Sequence, residues 1–560
     1  MEKALKKGRG PKSKAGKIIC NIVVTLIFGA LYFYFALPAI NLHDGSFYTF
    51  IGVLCIVYIV CALITSGRKP DRTQGVREYV RFVKTQCLPV GILFLLLIAV
   101  AIVGWLISAP IFRAGAYRDL LSVDTGDFST EVAEISYNEI PMLDEDSAKR
   151  LGDRKLGELS DMVSQFEVSD DYTQINYLGR PVRVTYLRYG DFFKWFNNRS
   201  DGLPAYIRID MVTQEAEVIR LSSLGLEGMK YSPSELFNRK LERHLRFHYP
   251  TYMFSSPTFE INEEGHPYWV CPKLEKTIGL FGGRDINGAV LVDAITGESH
   301  YYTNEEIPTW VDRVYLATLI MEQYDYHGTY VNGFLNSLFG QRGVTVTTDG
   351  YNYIALNDDV YMYTGVTSVS SDQSNIGFLL SNQRTKQTTY YEAPGAVEQS
   401  ARNSAQGMVQ DLGYRATWPL LLNVAGEPTY FMSLKDASEL VKQYAMVNVA
   451  QYNVVATGFT VAECESNYLQ LLTRNGVITE DELPQTEASG VVEEIRTMVV
   501  EGTTYFCVRL KGEDVFYAIS AADFPEVVTL DPGARVTIEH QSPPEGEEPR
   551  LLDGYSITIQ

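Results

Sequence analysis

Two histidines have the spacing in this sequence that best fits a metal site. His244 and His248 lie four residues apart in a segment predicted to be helical, and zinc proteases place two imidazoles on one helix face in this way. The motif reads His-Leu-Arg-Phe-His, so it lacks the glutamate that acts as general base in those enzymes. At 100° per residue, both side chains fall on the apolar side, near Phe237. We therefore interpret them as core or interface histidines and predict no metal site.

Other reactive residue types also form no catalytic pattern. The glycine-rich segment 279–284 has no Gly-Lys-Ser/Thr ending and opens no helix, so it is predicted to be a β-connection and not a phosphate loop. Two acidic pairs lack the staggered ligands of an EF-hand and are interpreted as solvated turns: Asp170-Asp171 and Asp358-Asp359. No nucleophile elbow is present. The sequence thus leaves the catalytic residues unknown and predicts no cofactor.

Tryptophans keep an enzymatic alternative open. Four of them lie after residue 110, and such rings can line a glycan groove, although they are more often core residues: Trp195, Trp269, Trp310 and Trp418. The alternative is an envelope enzyme, for example a glycan-acting hydrolase, whose site is assembled between repeats. It requires a pair of acidic groups, or a histidine and an acid, within mutual reach.

A repeated motif organises the second half of the chain. The segment Ile175-Asn176-x-x-Gly179-x-Pro181 recurs with the same spacing at residues 261–267. A third copy, at residues 422–428, keeps the Asn, Gly and Pro, and a degenerate copy is assigned to Gly350. The four glycines are regularly spaced, which indicates four related units.

A second motif and a helix complete each unit. Asp210-Met-Val-Thr213 recurs as Asp293-Ala-Ile-Thr296, with weaker copies at Asn382 and Asn448, and each follows an apolar run. Such Asp or Asn side chains accept the N–H two residues on in hairpin turns. Helices are predicted at 156–166, after Ser232, and at 310–323, 398–412 and 461–474. Each unit is therefore predicted to be helix, strand, strand.

The turn Val292-Asp293-Ala294-Ile295-Thr296-Gly297-Glu298 after a helix resembles the PepSY domain, a small α+β module of bacterial envelope and secreted proteins. Unit 1 has Gln214 in place of the glycine, and in unit 3 Asn382 and Gln387 replace both acids. The whole chain also resembles a family of three-span membrane proteins of clostridia-like bacteria. That resemblance is carried by these motifs: Arg180-Pro181-Val182-Arg183-Val184, Pro267-Tyr268-Trp269-Val270-Cys271-Pro272 and Asp349-Gly350-Tyr351-Asn352-Tyr353. The PepSY resemblance implies envelope interactions or protease regulation.

Three apolar segments predict a membrane anchor. None contains Asp, Glu, Lys, Arg or His, and about 20 apolar residues suffice to cross a bilayer: 18–40, 47–66 and 88–109. Seven cations lie in residues 1–17 and six in 67–86, whereas residues 41–46 have no Lys or Arg. The positive-inside rule therefore predicts a cytoplasmic N-terminus and an extracytoplasmic segment 110–560.

Charge restricts the partners of that exterior segment. The chain carries −20 and residues 1–110 contribute +9, so the remainder carries −29. Nucleic acid needs a cationic face and is not an expected partner. We expect the lipid bilayer and an envelope protein or cell-wall component as partners, and the oligomeric state is left open.

The predicted fold is thus a membrane-anchored α+β protein with three transmembrane helices, tandem α-β-β (PepSY-like) units and a small C-terminal β-barrel (OB-like). Its predicted function is a non-catalytic, extracytoplasmic binding or regulatory protein of the bacterial cell envelope. The predicted segments are a basic tail (1–17), spans (18–40, 47–66, 88–109) around a cytoplasmic loop (67–86), units 1 to 4 (110–221, 222–308, 309–395, 396–482), a linker (483–489) and the barrel (490–560).

Overall fold

The computed structural model describes residues 14–66, 74–133, 140–356, 358–369, 374–479, 485–500, 503–522, 524–541 and 550–559. Three helices in these ranges are long and apolar enough to cross a membrane, as predicted. The α-helices of the described residues are α1 Lys14–Ala36, α2 Gly45–Ser66, α3 Gln74–Ile107, α4 Pro110–Arg118, α5 Phe128–Glu131, α6 Glu145–Gly157, α7 Phe192–Asn198, α8 Leu241–His248, α9 Ala317–Thr329, α10 Glu398–Met408 and α11 Val461–Arg474.

The membrane helices differ in their bounds from the predicted spans. α1 ends at Ala36 and not at residue 40, because Leu37 adopts a left-handed conformation (φ +51°) and precedes a proline. α3 begins at Gln74, so residues 74–86 of the predicted loop are helical. Its 34 residues extend roughly 50 Å at 1.5 Å per residue, which exceeds the ~30 Å hydrocarbon core. α3 is therefore longer than a bilayer crossing requires, and the excess lies at its polar start.

Between residue 160 and residue 460, the described chain forms four sheets with one topology. Each unit contributes five strands, which we label a to e in chain order. Strands a, c, d and e are hydrogen-bonded neighbours in that order, and strand b pairs with strand c. The third sheet also gains β1 (Asp124–Gly126), which pairs in parallel with strand e of that sheet. The strands are β2 Phe166–Val168, β3 Thr173–Tyr177, β4 Arg180–Tyr189, β5 Ala205–Asp210 and β6 Ala216–Arg220 in unit 1; β7 Met253–Phe254, β8 Thr258–Ile261, β9 Pro267–Ile278, β10 Gly282–Asp293 and β11 Ser299–Tyr302 in unit 2; β12 Thr345–Thr347, β13 Asn352–Leu356, β14 Asp359–Ser368, β15 Ser374–Asn382 and β16 Thr388–Ala396 in unit 3; and β17 Arg415–Ala416, β18 Leu420–Val424, β19 Glu427–Lys435, β20 Val441–Asn448 and β21 Val455–Gly458 in unit 4.

The predicted helix, strand, strand pattern is therefore incomplete. Each unit has five strands, and strand a has only two or three residues, too few for an alternating pattern to be recognised. Three predicted helices are also displaced. α6 begins after Asp144, which accepts the N–H of Ser147 at 3.0 Å, and α8 begins at Leu241. α9 spans Ala317–Thr329 and not 310–323. α11 has its predicted bounds, with Thr460 as N-cap.

The first motif forms the turn between strands b and c. Three glycines there have φ between +76° and +79°: Gly179, Gly265 and Gly426. The predicted third-unit copy at Gly350 is wrong, because that glycine precedes strand b. The equivalent turn contains Asp358, with φ +65°. Aspartate tolerates the left-handed region better than most residues, so this turn forms without glycine.

The second motif forms the turn between strands d and e. In units 1 to 3, its first side chain accepts the N–H two residues on, which confirms the predicted turn chemistry. The distances from Asp210 to Val212, Asp293 to Ile295 and Asn382 to Arg384 are 2.9, 2.7 and 2.9 Å. In unit 4, Asn448 accepts the N–H of Gln451, three residues on, at 2.8 Å.

Consecutive sheets pack face to face and share their cores. Because side chains alternate between the two faces of a strand, strand c of units 2 and 3 contributes to two cores at once. The shared pairs are Val184 with Trp269 for units 1 and 2, Val270 with Met362 for units 2 and 3, and Tyr363 with Tyr430 for units 3 and 4. The units are thus parts of one folded region and not separate modules.

Unit 4 also contacts unit 1, which closes the four sheets into a ring. The connection runs through Met142, whose N–H donates to Met211 O at 3.0 Å in unit 1. Its carbonyl accepts the hydroxyl of Ser433, in unit 4, at 2.7 Å. Gln214 additionally donates to the Tyr444 hydroxyl at 3.2 Å.

The last sheet has its own core. Hydrogen bonds join its strands in the cyclic order β22–β23–β24–β26–β25, with β25 paired back to β22. The predicted linker is wrong from residue 485 onward, because residues 485–491 pair with β25. An OB-like relationship stays a prediction. The strands are β22 Gln485–Val500, β23 Thr503–Leu510, β24 Phe516–Ser520, β25 Arg535–Gln541 and β26 Leu551–Ile559.

Unit 2 rests on the ends of the membrane helices. Asn41, between α1 and α2, donates to Thr251 O at 2.9 Å. The β9–β10 turn contacts the end of α3, where the N–H groups of Leu280 and Phe281 donate to Ser108 Oγ at 2.9 and 3.0 Å. The glycine-rich segment is therefore the β-connection that was predicted, and it joins the sheets to the membrane helices.

Candidate functional site

A cavity of about 320 Å³ lies where units 1, 3 and 4 meet. Unit 1 contributes Tyr172 and Arg183, and the connecting segment 141–145 forms another wall. Arg313 lies beside residues 351–353 of unit 3, and the unit 4 wall includes Trp418, Phe431 and Ser433. Because these segments are far apart in the chain, no linear motif marks the cavity.

Strand alternation directs Arg183 toward this cavity. Its neighbours Val182 and Val184 are buried in the core shared with unit 2, so Arg183 lies on the opposite face of the sheet. The side chain is 7% exposed, and its Nε has no hydrogen-bond partner within the described residues. Burial lowers the pKa of Arg183, whereas the carboxylates of Glu145 and Asp144 raise it. A guanidinium stays protonated at neutral pH despite such a shift.

The internal repeat shows that Arg183 is an exception. The carbonyl of Pro181, two residues before Arg183, accepts the N–H of Met211, which is the residue after strand d. Every unit has this hydrogen bond, so the residue two positions after the acceptor is the equivalent of Arg183 in each unit. At that equivalent position units 2, 3 and 4 have large apolar or aromatic residues, all buried: Trp269, Met362 and Tyr430. Those three pack on the preceding sheet, whereas Arg183 faces the junction of units 4 and 1. This deviation is the signal from which the sequence could have identified the site.

Arg313 supplies a second buried cation. It is 8% exposed, and its guanidinium carbon lies 4.0 Å from the ring centroid of Tyr353. Nη2 donates to the Tyr353 hydroxyl at 2.5 Å, while Nε has no partner in the described part of the chain. The like charge of Arg313 contributes to the lowered pKa of Arg183, so the two cations act on one another.

A buried pair of acids holds the backbone beside Arg313. Glu260 accepts the N–H of Asp312 at 2.8 Å and the hydroxyl of Thr258 at 2.9 Å. Asp312 in turn accepts the N–H of Asn176 at 2.7 Å, which links unit 1 to the start of unit 3. Burial raises the pKa of Glu260, and burial together with the charge of Glu260 raises the pKa of Asp312 well above its usual range.

We expect Glu260→Gln to flatten the pH dependence of stability. Because the pKa of Glu260 is raised in the folded state, the folded protein retains a proton that the unfolded chain releases from about pH 4.5 upward. The free energy of unfolding of the wild type should therefore fall as pH rises above 4.5 toward the raised pKa. Glutamine keeps the acceptor without this proton. Pulse proteolysis between pH 4.5 and 8 measures the difference, and exposed Glu158→Gln is the control. Equal slopes for the wild type and Glu260→Gln would contradict the assignment.

Aromatic rings form the remaining walls. Tyr351 and Tyr353 pack at 5.4 Å between ring centroids, with planes inclined by 68°. Trp418 lies against Gly350, where an added Cβ would be 2.7 Å from the indole. Its Nε1 has no hydrogen-bond partner within the described ranges. Guanidinium groups between aromatic faces can bind an anion while the rings contact an apolar or planar portion of the same ligand.

The acids near the cavity are already paired. Asp144 accepts from Lys435 Nζ at 2.5 Å, and Lys435 also contacts Glu439 at 2.7 Å. Burial opposes the ionised form of Asp144, but the Lys435 ammonium and the Ser147 hydrogen bonds dominate and lower its pKa. Glu145 pairs with Lys149 at 2.8 Å. Within the described residues neither Asp144 nor Glu145 forms a salt bridge with Arg183, although the charges of both carboxylates act on it.

The residues considered from sequence lie elsewhere. His244 packs between Tyr231 and His248, at ring distances of 4.7 and 4.2 Å, and burial lowers its pKa to about 4. No group of three or more His, Cys, Asp or Glu residues arranged for a metal ion occurs among the residues searched, which are the described ones. Trp195 and Trp269 are buried and donate within the core. Of the four tryptophans considered, Trp418 lines the cavity.

Comparisons with known proteins add no assignment. No family model matches the chain, and no curated protein matches it.

Proposed function

We propose that this chain is a membrane-anchored, extracytoplasmic binding or regulatory protein of the bacterial cell envelope, and that its cavity binds a small anionic group. The observation that carries the proposal is the buried guanidinium of Arg183, which lines the cavity while its Nε lacks a partner in the described residues. A buried charge is costly unless it is paired. A carboxylate or phosphate is the group that pairs best with arginine.

Size and charge favour a small ligand. About 320 Å³ is at the lower end of ligand pockets, which span ~300–1,000 Å³. The surrounding exterior segment carries −29, as counted from the sequence, so an extended polyanion would be repelled by the surface. A compact anion, such as a free metabolite or one acidic end of a larger molecule, is compatible with both constraints.

The proposed extracytoplasmic location of the four units follows from the excess of Lys and Arg in residues 1–17 and 67–86 over residues 41–46. Ligand binding at the junction of units 1, 3 and 4 would then occur outside the cytoplasm. The four units are proposed to be PepSY-like relatives joined into a ring, which the repeated turn after strand d supports. A reporter enzyme fused after Gln560 is expected to be active only outside the cytoplasm, and activity restricted to the cytoplasm would overturn the compartment.

Anion titration tests the site. Full-length protein in nanodiscs is titrated with inorganic phosphate, glutarate and glucose by calorimetry. We expect saturable binding of at least one anion and none of glucose, because only an anion compensates the buried arginines. Arg313→Met should weaken binding about tenfold or more. Arg496→Met, an exposed arginine of the last sheet, should not. Anion binding that is unaffected by Arg313→Met would refute the location.

The enzymatic alternative receives no comparable support. A glycan-acting hydrolase needs one carboxylic acid with a raised pKa beside a second carboxylate. Of the acids that line the cavity, Asp144 has a lowered pKa and an ammonium partner. The arrangement therefore favours binding.

A further inference from the structure

Two groups of exposed apolar side chains lie outside the predicted spans and outside the cavity. The α7 patch consists of Phe192, Phe193, Phe196 and Phe237, of which Phe193 is 75% exposed. The 335–339 patch consists of Leu335, Leu338 and Phe339, of which Phe339 is 84% exposed. Single exposed apolar residues are ordinary in proteins, but groups of them indicate an interaction surface.

Arg243 places the α7 patch beside the end of α1. Its Nε donates to Tyr34 O at 3.1 Å, and its Nη1 donates to Phe237 O at 2.6 Å. Since one guanidinium binds both carbonyls, Tyr34 and Phe237 are separated by little more than its width. Phe237 in turn packs on Trp195, the buried residue of α7, with ring centroids 5.8 Å apart.

Tyr117 places the 335–339 patch beside the end of α3. Its hydroxyl donates to Ser108 O at 2.7 Å, immediately after α3 ends at Ile107. Its ring lies 6.5 Å from Tyr330, which stacks on Phe334 at 6.2 Å. Phe334 directly precedes the patch. Both patches are therefore connected, through a few side chains, to the same ends of the membrane helices.

We propose that the α7 patch and the 335–339 patch insert into the lipid headgroup region of the bilayer that α1 to α3 cross. Phenylalanine and leucine side chains of interfacial segments enter this boundary, while basic side chains beside them contact the headgroups. Arg199 fits this pattern, because its guanidinium lies 3.9 Å from the Phe196 ring centroid. Lipid is the occupant because both patches continue the apolar surface of the helix ends.

This seating has a mechanical consequence. Hydrogen bonds at Asn41 and Ser108 join unit 2 to the membrane helices. The α7 patch and the 335–339 patch would each add one further contact with the lipid. The ring of sheets would then be held at a fixed height and tilt. The cavity would be presented at a constant distance from the membrane surface, independently of which ligand it binds.

Spin-label accessibility tests the proposal in full-length protein in nanodiscs. A nitroxide is attached at Phe193→Cys, at Phe339→Cys and, as control, at Phe459→Cys, which replaces a 70% exposed phenylalanine of unit 4. The parent has Cys20, Cys55, Cys61 and Cys87 replaced by alanine. It keeps the three buried exterior cysteines, which the label does not reach in the folded protein. Retained protease resistance of each labelled variant shows that it is folded.

Oxygen partitions into lipid and a nickel chelate stays in water, so their relaxation effects report depth. We expect nitroxides at positions 193 and 339 to be relaxed more by oxygen, and the nitroxide at 459 more by nickel. If positions 193 and 339 both give the aqueous ratio of position 459, insertion is overturned. If only one of them gives a lipid ratio, the two-patch seating is overturned. Neither outcome depends on the anion site or on which side of the membrane unit 2 occupies.

Discussion

Arg183→Met is expected to weaken anion binding in the cavity strongly. A charge-assisted hydrogen bond in a desolvated site is lost, and removal of one partner of such a pair costs roughly 2–5 kcal/mol of binding free energy. Since 1.4 kcal/mol corresponds to about tenfold, affinity should fall at least about thirtyfold. Calorimetric titration with the anion that binds wild type measures this change.

The same substitution is expected to stabilise the ligand-free protein. Arg183 is buried, and its Nε has no partner in the described part of the chain, so the protein bears a desolvation cost that the charges of Glu145 and Asp144 offset only in part. Methionine of similar length fills the space without that cost. We expect a gain of about 1 kcal/mol or more in the free energy of unfolding, measured by pulse proteolysis in urea without ligand.

Arg384 provides the matched control. Its guanidinium binds Asp359 through two hydrogen bonds of 2.7 Å. Arg384→Met leaves this buried carboxylate with fewer partners, so it should destabilise the protein and leave anion affinity unchanged. Opposite signs for the two substitutions distinguish an unpaired functional arginine from a paired structural one. Destabilisation by Arg183→Met with unchanged anion affinity would contradict the binding site.

Of the substitutions proposed, Trp269→Ala is expected to lower the free energy of unfolding most. The indole is buried between Tyr186 and Phe259, at centroid distances of 4.8 and 5.4 Å, and Nε1 donates to Tyr231 O at 2.9 Å. Its removal leaves a large cavity in the core that units 1 and 2 share, and such truncations cost about 3–5 kcal/mol. Because the core is shared, both units should become protease-sensitive at the same urea concentration.

Trp310→Ala tests whether position or residue type decides the effect. Trp310 is half-buried and packs on Tyr268 at 5.0 Å, so its truncation opens a site that water can fill. We expect a loss of about 1 kcal/mol, in the range of ordinary substitutions. Equal losses for the two tryptophans would show that the shared core is not what stabilises units 1 and 2.

Local patterns were sufficient for several elements. Thr460 and Glu463 predicted the start of α11, and the Asp293 turn was predicted from its residue types, because both depend on contacts within a few residues. The Gly350 turn and the helix after Ser232 were wrong. In both cases the residue types fit the predicted element, but strand pairing or packing with distant segments placed the element elsewhere.

The sequence by itself determined that three helices with charge-free apolar segments are present and that four related units follow, since hydropathy and repeated turn residues are local properties of the chain. The tertiary structure decided that the units share cores and close into a ring. It therefore also decided that Arg183, at a position that is apolar or aromatic in the other three units, faces a cavity with Arg313 and Trp418. The physical reason is that the surroundings of a strand residue depend on which sheet packs against each face, and that packing joins segments more than 100 positions apart.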